Sequence, residues 1–198
     1  MEKLKAIHTN DTPSREEAEK AVETLLRYIG EDPNRPGLVE TPARMVRAFD
    51  EHYAGYHMNA ADELSKTFED IEGYDDFVLV RNIEFVSHCE HHLEPIIGTA
   101  HVAYWPDQKI VGISKLARIV DIYAKRLISQ EMMTKHIADV LDETLQPKGI
   151  AIMVDASHQC MSTRGVKKPS SSTTTSIFRG EMQKEVQQSR FMAMIAAS

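Results

Sequence analysis

The chain predicts an α+β fold, in which helices pack on an antiparallel sheet and a helical extension precedes it at the N-terminus. Two observations carry this. Apolar residues recur at helical spacing near the N-terminus and again in two consecutive stretches, 116–127 and 132–145. Strand-like segments gather between and after those helices, giving the order helix, helix, hairpin strands, two helices, strands.

Taken in order, Ser14-Arg-Glu-Glu17 is a capping box, in which a hydroxyl and a carboxylate satisfy orphan amide donors reciprocally. Ala18, Val22, Leu25, Leu26 and Ile29 follow at helical spacing until Gly30, and this helix reads as packing or assembly. A Pro-rich turn spans 31–37. Thr41 as N-cap and Pro42 at the first helical position start a second helix, striped by Met45, Val46 and Phe49. Arg44 and Arg47 lie one turn apart on it, either as a solvated face or turned to an anion. Residues 58–76 are acidic and turn-rich, a connector. Residues 77–80 and 83–86 have strand character, and 101–104 with 109–113 flank Trp-Pro-Asp-Gln as a hairpin. Ser114 caps the next helix, with Leu116, Ile119, Val120, Tyr123 and Leu127 as its stripe. Ser129 caps another, with Met132, Met133, Ile137, Val140, Leu141 and Leu145 inward. Residues 149–156 form an apolar strand, the Ser/Thr run 170–176 a polar one, and 185–197 a final helix. This divides the chain into an N-terminal helical region, 1–57, and a second domain, 58–198.

A length of 198 residues with 42% hydrophobic and 27% charged residues supports a sizeable core without staples. The net charge of −7 argues against non-specific nucleic-acid binding, so an anionic ligand needs a local cluster of cations. Apolar runs such as 191–197 are too short to span a membrane, and the polar segment 1–11 is no signal peptide. With two cysteines and no disulfide framework, a cytoplasmic setting is expected.

Chemistry concentrates in S-H-C-E-H-H-L-E-P-I-I at 87–97. Cys89 and His92 form C-x-x-H, a spacing that brings both side chains to one metal ion from a single turn. The other cysteine, Cys160, closes S-H-Q-C. On an extended strand it shares a face with His158. Cys89, His92 and Cys160 then make a Cys2His set, the count expected when zinc keeps its fourth position open. His91 and His158 remain beside it as proton-transfer candidates. Spacing alone leaves the bland alternative open, because a buried free cysteine is commonly an inert small hydrophobe. If the site forms, its two sulfurs are near enough to yield a disulfide on oxidation.

C-E-H-H-L-E-P, G-T-A-H-V-A-Y-W-P (98–106), G-I-S-K-L-A-R (112–118), S-Q-E (129–131) and H-Q-C-M-S-T-R-G (158–165) occur in unbroken order. Together, from about 41 to about 180, they resemble GTP cyclohydrolase I of the zinc-dependent type. The resemblance implies the tunnelling fold, whose subunits join sheets into a barrel, and a homodecamer of two pentameric rings. It implies GTP as substrate, giving 7,8-dihydroneopterin triphosphate and formate, the entry to tetrahydrofolate-type pterins. Zinc would sit on Cys89, His92 and Cys160, with His91 and His158 in proton transfer and Ser114 near the ribose. Gln130 and Glu131 would read the guanine edge. Lys115, Arg118 and Arg164 would clamp the triphosphate, joined by Arg44 and more weakly Arg47, although K-x-x-R on a helix is ordinarily a surface feature.

Ile128 and Met132 depart from the Gln and Arg common in that family, and Ile97 and Trp105 also differ; none is a ligand or a proton carrier, so they bear on packing near the guanine pocket and on rate, not on the reaction. Two other readings stand beside this one. The first is a binding module whose zinc is structural, closed by a fourth protein ligand such as His91. The second is a sister enzyme of the same fold acting on a pterin or deazapurine, whose relatives use a triple-His site or a catalytic cysteine without C-E-H-H.

Overall fold

The computed structural model describes residues 12–68 and 73–197. The polar segment 1–11 and part of the acidic connector lie outside them. Helix α1 (Arg15–Tyr28) begins with the expected capping box, Ser14 and Glu17 bonding reciprocally. Only Val22 of its stripe is buried, and Leu25 and Ile29 face outward. Helix α2 (Thr41–His52) corrects one expectation: Glu40 is its N-cap and makes no side-chain capping bond, so Thr41 is already helical. The supposed connector also holds more structure than its composition suggested. After a 3-10 turn (Ala54–His57) that precedes it, the short helix α3 (Ala60–Leu64) and strand β1 (Thr67–Phe68) lie within it, and Ala60 and Leu64 enter the core.

The principal sheet is antiparallel throughout, in the order β2 (Val78–His88), β3 (Pro95–Trp105), β5 (Gly149–His158), β6 (Thr173–Gly180). The two segments read as separate strands at 77–80 and 83–86 are one strand interrupted by a bulge. Val80 pairs with Val102 and Ile83 with Ala100, so Arg81 and Asn82 together oppose His101, and Asn82 takes φ +57°. The expected hairpin of 101–104 with 109–113 does not form. The short strand β4 (Ile110–Val111) pairs with β1 instead. It stays near the end of β3 because the Tyr104 hydroxyl accepts from the Val111 N–H at 3.0 Å.

Alternation along the strands sorts the core. Ala100, Val102, Tyr104, Ile150, Ile152 and Val154 face α4 (Ile113–Ala124) and α5 (Gln130–Leu145), meeting Leu116, Ile119, Val120, Met133, Ile137 and Leu141. Ala103 and Ala151 face the other way, onto Met182 and Phe191 of the C-terminal segment with α7 (Glu185–Ala196). Gly112, not Ser114, is the N-cap of α4, whereas Ser129 caps α5 as expected. Met133 is buried, but Met132 is 42% exposed, so the methionine pair is split between faces. Among the described residues no helix is long and apolar enough to cross a membrane.

Candidate active site

Six residues join β2 to β3, and they close on themselves. The Cys89 N–H donates to the Glu94 carbonyl at 2.9 Å, while the N–H groups of His92 and Leu93 return to the Cys89 carbonyl at 3.3 and 2.8 Å. Leu93 takes φ +57°, the left-handed conformation that returns the chain to β3. This turn brings Cys89 Sγ to 3.7 Å from His92 Nδ1, and to 3.7 Å from His91 Nδ1 as well.

Cys160 arrives from the neighbouring strand. The end of β5, His158, stands opposite Ile96 at the same end of the sheet. There the extended-strand expectation fails: the chain folds at once into the helical turn α6 (Gln159–Ser162), secured by Ser162 Oγ donating to the His158 carbonyl at 3.1 Å. His158 and Cys160 are therefore not alternate residues of one strand. Cys160 is turned back so that its ligand atom and those of Cys89 and His92 all lie within 4.8 Å of one another. Both thiols are free. Burial and the adjacent Cys89 thiol push the Cys160 thiol up, and the nearby Arg164 guanidinium works the other way.

Two sulfurs and an imidazole are a donor set suited to zinc. Tetrahedral zinc bonds of about 2.3 Å to sulfur and 2.0 Å to nitrogen would separate those atoms by about 3.6 Å, and Cys89 Sγ to His92 Nδ1 is 3.7 Å. The residues present fit the metal.

Beside this group, His158 Nε2 lies 2.8 Å from Gln130 Oε1. Burial holds the His158 ring below its usual pKa, opposed by the Glu131 carboxylate. Glu131 is exposed in the first turn of α5. Gln130, expected to help read the base, is 1% exposed. Its Nε2 donates to the carbonyls of Val154 (3.1 Å) and Thr173 (2.8 Å) and to Thr175 Oγ1 (3.2 Å), so its amide is engaged inside the protein. Ile128 is buried and its N–H donates to the His88 carbonyl at 3.3 Å, tying the start of α5 to the end of β2.

Of the expected phosphate and ribose residues, Arg164 lies near Cys160, but those of the α4 entry do not join this group within one chain. Lys115 and Arg118 instead share Glu63 Oε2, at 2.6 and 3.3 Å. Those hydrogen bonds, Lys115's first, hold the Glu63 carboxyl below the ordinary range. Ser114 is exposed one residue earlier. From Lys115 the helix rises about 15 Å before the chain reaches Leu127, which is bridged to His88 beside the cysteine turn. The entry to α4 is fixed by the Tyr104–Val111 bond, and Tyr104 lies eight residues, about 27 Å, along β3 from Ile96. Ser114, Lys115 and Arg118 thus stand near the opposite end of the sheet from Cys89, His92 and Cys160. Arg44, exposed on α2, is paired with Glu40, while Arg47 is exposed and Arg164 lies exposed just beyond α6.

The family model for GTP cyclohydrolase I matches residues 18–196. The chain belongs to the GTP cyclohydrolase I family. That match is wider than the motifs alone, taking in α1 and α7. Curated relatives named GTP cyclohydrolase 1 agree across almost the whole length. The one from Allorhizobium ampelinum is 55% identical over 92% of each chain. That from Maricaulis maris is 53% identical over 96% of this chain and 93% of the relative. That from Sinorhizobium fredii is 52% identical over 94% and 92%. Among solved structures, the apo archaeosine synthase QueF-Like is similar at a TM-score of 0.44 and 15% identity, covering 54% of this chain and 96% of that one. The mixed helices and antiparallel sheet accord with the tunnelling fold expected of a GTP cyclohydrolase I.

Sequence reasoning missed Glu63, because an acid in Asn-Ala-Ala-Asp-Glu-Leu carries no local mark of its distant partners. It also missed Thr134 and Thr175, which surround Gln130. The only available signal was the threonine-rich composition of β6.

Proposed function

We propose that this protein hydrolyses and rearranges GTP to 7,8-dihydroneopterin triphosphate and formate, the first step toward tetrahydrofolate and related pterins. The observation that carries the reading is the meeting of Cys89, His92 and Cys160 at one end of the sheet, with His158, Gln130 and Glu131 alongside. Zinc held there supplies a Lewis acid that makes water nucleophilic near neutral pH. One water opens the ring at C8 to a formamide, a second cleaves that formamide to formate, and the condensation that re-closes the ring returns one water. His158 and His91 give and take the protons that the ring nitrogens need, since an imidazole exchanges protons in this pH range. His91 lies against the Cys89 sulfur and is exposed, which suits it to reach a substrate.

Glu131, exposed at the mouth of this group, accepts from N1–H and the 2-amino group of guanine as a bidentate, charge-assisted pair. Ser114 serves the ribose, and Lys115, Arg118, Arg164 and Arg44 offset the triphosphate. The separation of Ser114, Lys115 and Arg118 from the cysteine turn supports a shared site. A nucleotide bound at the zinc end of one chain meets the α4 entry of another copy, as in a homodecamer of two pentameric rings. Glu63 then acts as the stand-in that keeps Lys115 and Arg118 together until phosphate arrives.

Purified protein incubated with GTP should release formate and a neopterin product. Zinc-loaded protein that binds GTP but releases neither would leave the structural-zinc reading in its place. Light scattering should give a mass many times that of one chain, and an active monomer would overturn the shared site.

A further inference from the structure

We infer that Gln130 is a positioning residue: it fixes His158 as the Nε2–H tautomer and leaves Nδ1 to exchange protons with the substrate. The argument is a count of hydrogens. Thr134 Oγ1 donates its one hydrogen to the Gln130 carbonyl at 2.8 Å. Thr134 and Thr175 hydroxyls lie 2.7 Å apart, and Thr134 has no hydrogen left, so Thr175 is the donor between them. Thr175 Oγ1 is then only an acceptor toward the Gln130 amide at 3.2 Å. The carbonyls of Val154 and Thr173 accept as well. Three acceptors on one side leave a single orientation for the amide: its NH2 faces them and Oε1 faces His158.

Turning the amide over would set its oxygen against two carbonyls in a site 1% exposed, leaving buried acceptors without donors. Oε1 can only accept, so His158 Nε2, at 2.8 Å, carries the hydrogen in that bond. Among the described residues Nδ1 has no protein hydrogen-bond partner. The fixed direction starts from helix α5 and strand β6, passes through two threonines and one amide, and ends on the ring. A partner that fixes tautomer and ring orientation in this way typically contributes 10–100-fold to activity without touching substrate.

This inference rests on His158 as a proton carrier in the proposed GTP reaction. Its test combines kinetics with a readout independent of turnover, Gln130→Met against wild type, both zinc-loaded and assembled. The methionine keeps the length and removes every hydrogen bond. We expect kcat for GTP to fall about 10–100-fold, with KM within about threefold and zinc content unchanged. Solid-state 15N spectra of histidine-labelled protein, with His158 assigned by its loss in His158→Gln, should give Nε2–H for the neutral ring in wild type and a mixture in Gln130→Met. A large rise in KM with kcat retained would instead make Gln130 a base contact and overturn the proposal. So would an Nδ1–H tautomer in wild type, a measurement that decides the matter even if Gln130→Met fails to fold. Thr175→Val should give a smaller fall in kcat of the same kind, and no change there would break the threonine link. If wild type makes no formate from GTP while His158 holds its Nε2–H tautomer, the catalytic reading fails and the hydrogen-bond assignment survives.

Discussion

Gly98 stands opposite Ala156 of β5, two residues from the pair Ile96 and His158. A Cβ at that position would lie 2.2 Å from the Asp155 carbonyl oxygen, 2.5 Å from Ala156 Cβ and 2.7 Å from Ala156 Cα. Ordinary contact begins at 3.4 Å, so Gly98→Ala forces the strands apart by about 1.2 Å. The atoms in the way are mostly backbone of a strand paired on both sides, which cannot swing aside. Overpacking of this kind costs about 1–3 kcal/mol, which for a chain of this size lowers Tm by roughly 2–10 °C. The second effect falls on the metal site, whose ligands come from the β2–β3 turn on one side and the end of β5 on the other. Ligand positions tolerate about 0.2 Å, so displacement by much of an ångström should weaken zinc binding about 10–100-fold. Competition with a chromophoric chelator reads the affinity, and thermal melting reads the stability. Gly112→Ala is the control, because a Cβ there meets nothing within 4 Å. If Gly98→Ala melts within a degree of wild type and holds zinc equally well, the strand spacing does not set the site's geometry.

Cys160→Ser should lose nearly all its zinc by elemental analysis, and formate release with it; full zinc occupancy would remove Cys160 from the ligand set. Glu131→Ala should keep zinc, collapse turnover of GTP, and narrow the gap between GTP and inosine triphosphate, which lacks the 2-amino group; an unchanged preference would exclude Glu131 as the guanine contact. Burial raises the Asp139 carboxyl, but hydrogen bonds and charge from Lys135 and Arg179 outweigh it and leave the group below its ordinary range. A depressed carboxylate stabilises the fold above the unfolded value of about 3.9, and that stabilisation is lost as pH falls through the lower, folded value. Asp139→Asn should therefore lower stability at pH 7 by about 1 kcal/mol and flatten the melting curve's acid dependence below pH 4, and an unaltered acid limb would contradict this.

Most local signals were read correctly, although the caps expected at Thr41 and Ser114 fall instead on Glu40 and Gly112. The Ser14 and Ser129 caps, the apolar run that became β5 and the C-x-x-H turn each depend on residues a few positions apart. The larger errors came where distant segments decide the outcome. Ile110 and Val111 pair with β1, more than forty residues away, and no pattern within 101–113 announces it. The ligand set was legible from residue type, but the geometry expected for Cys160 was not, because α6 begins immediately after His158. Gln130 was placed at the site, but the bonds that engage its amide could not be read, since one of them reaches a threonine 45 residues later in β6. The separation across α4 could not be read in sequence either: Lys115 in its first turn and Ile128 just beyond it lie toward opposite ends of the sheet.

That last separation has a genetic meaning. If each reaction centre draws its zinc ligands from one chain and its α4 cations from another, a chain defective in Cys160 and a chain defective in Lys115 are damaged in different halves of the centre. Mixed within one assembly, the sound half of the first meets the sound half of the second. Two alleles, each dead alone, should complement, with recovered turnover rising as the two chains are co-assembled toward equal proportion.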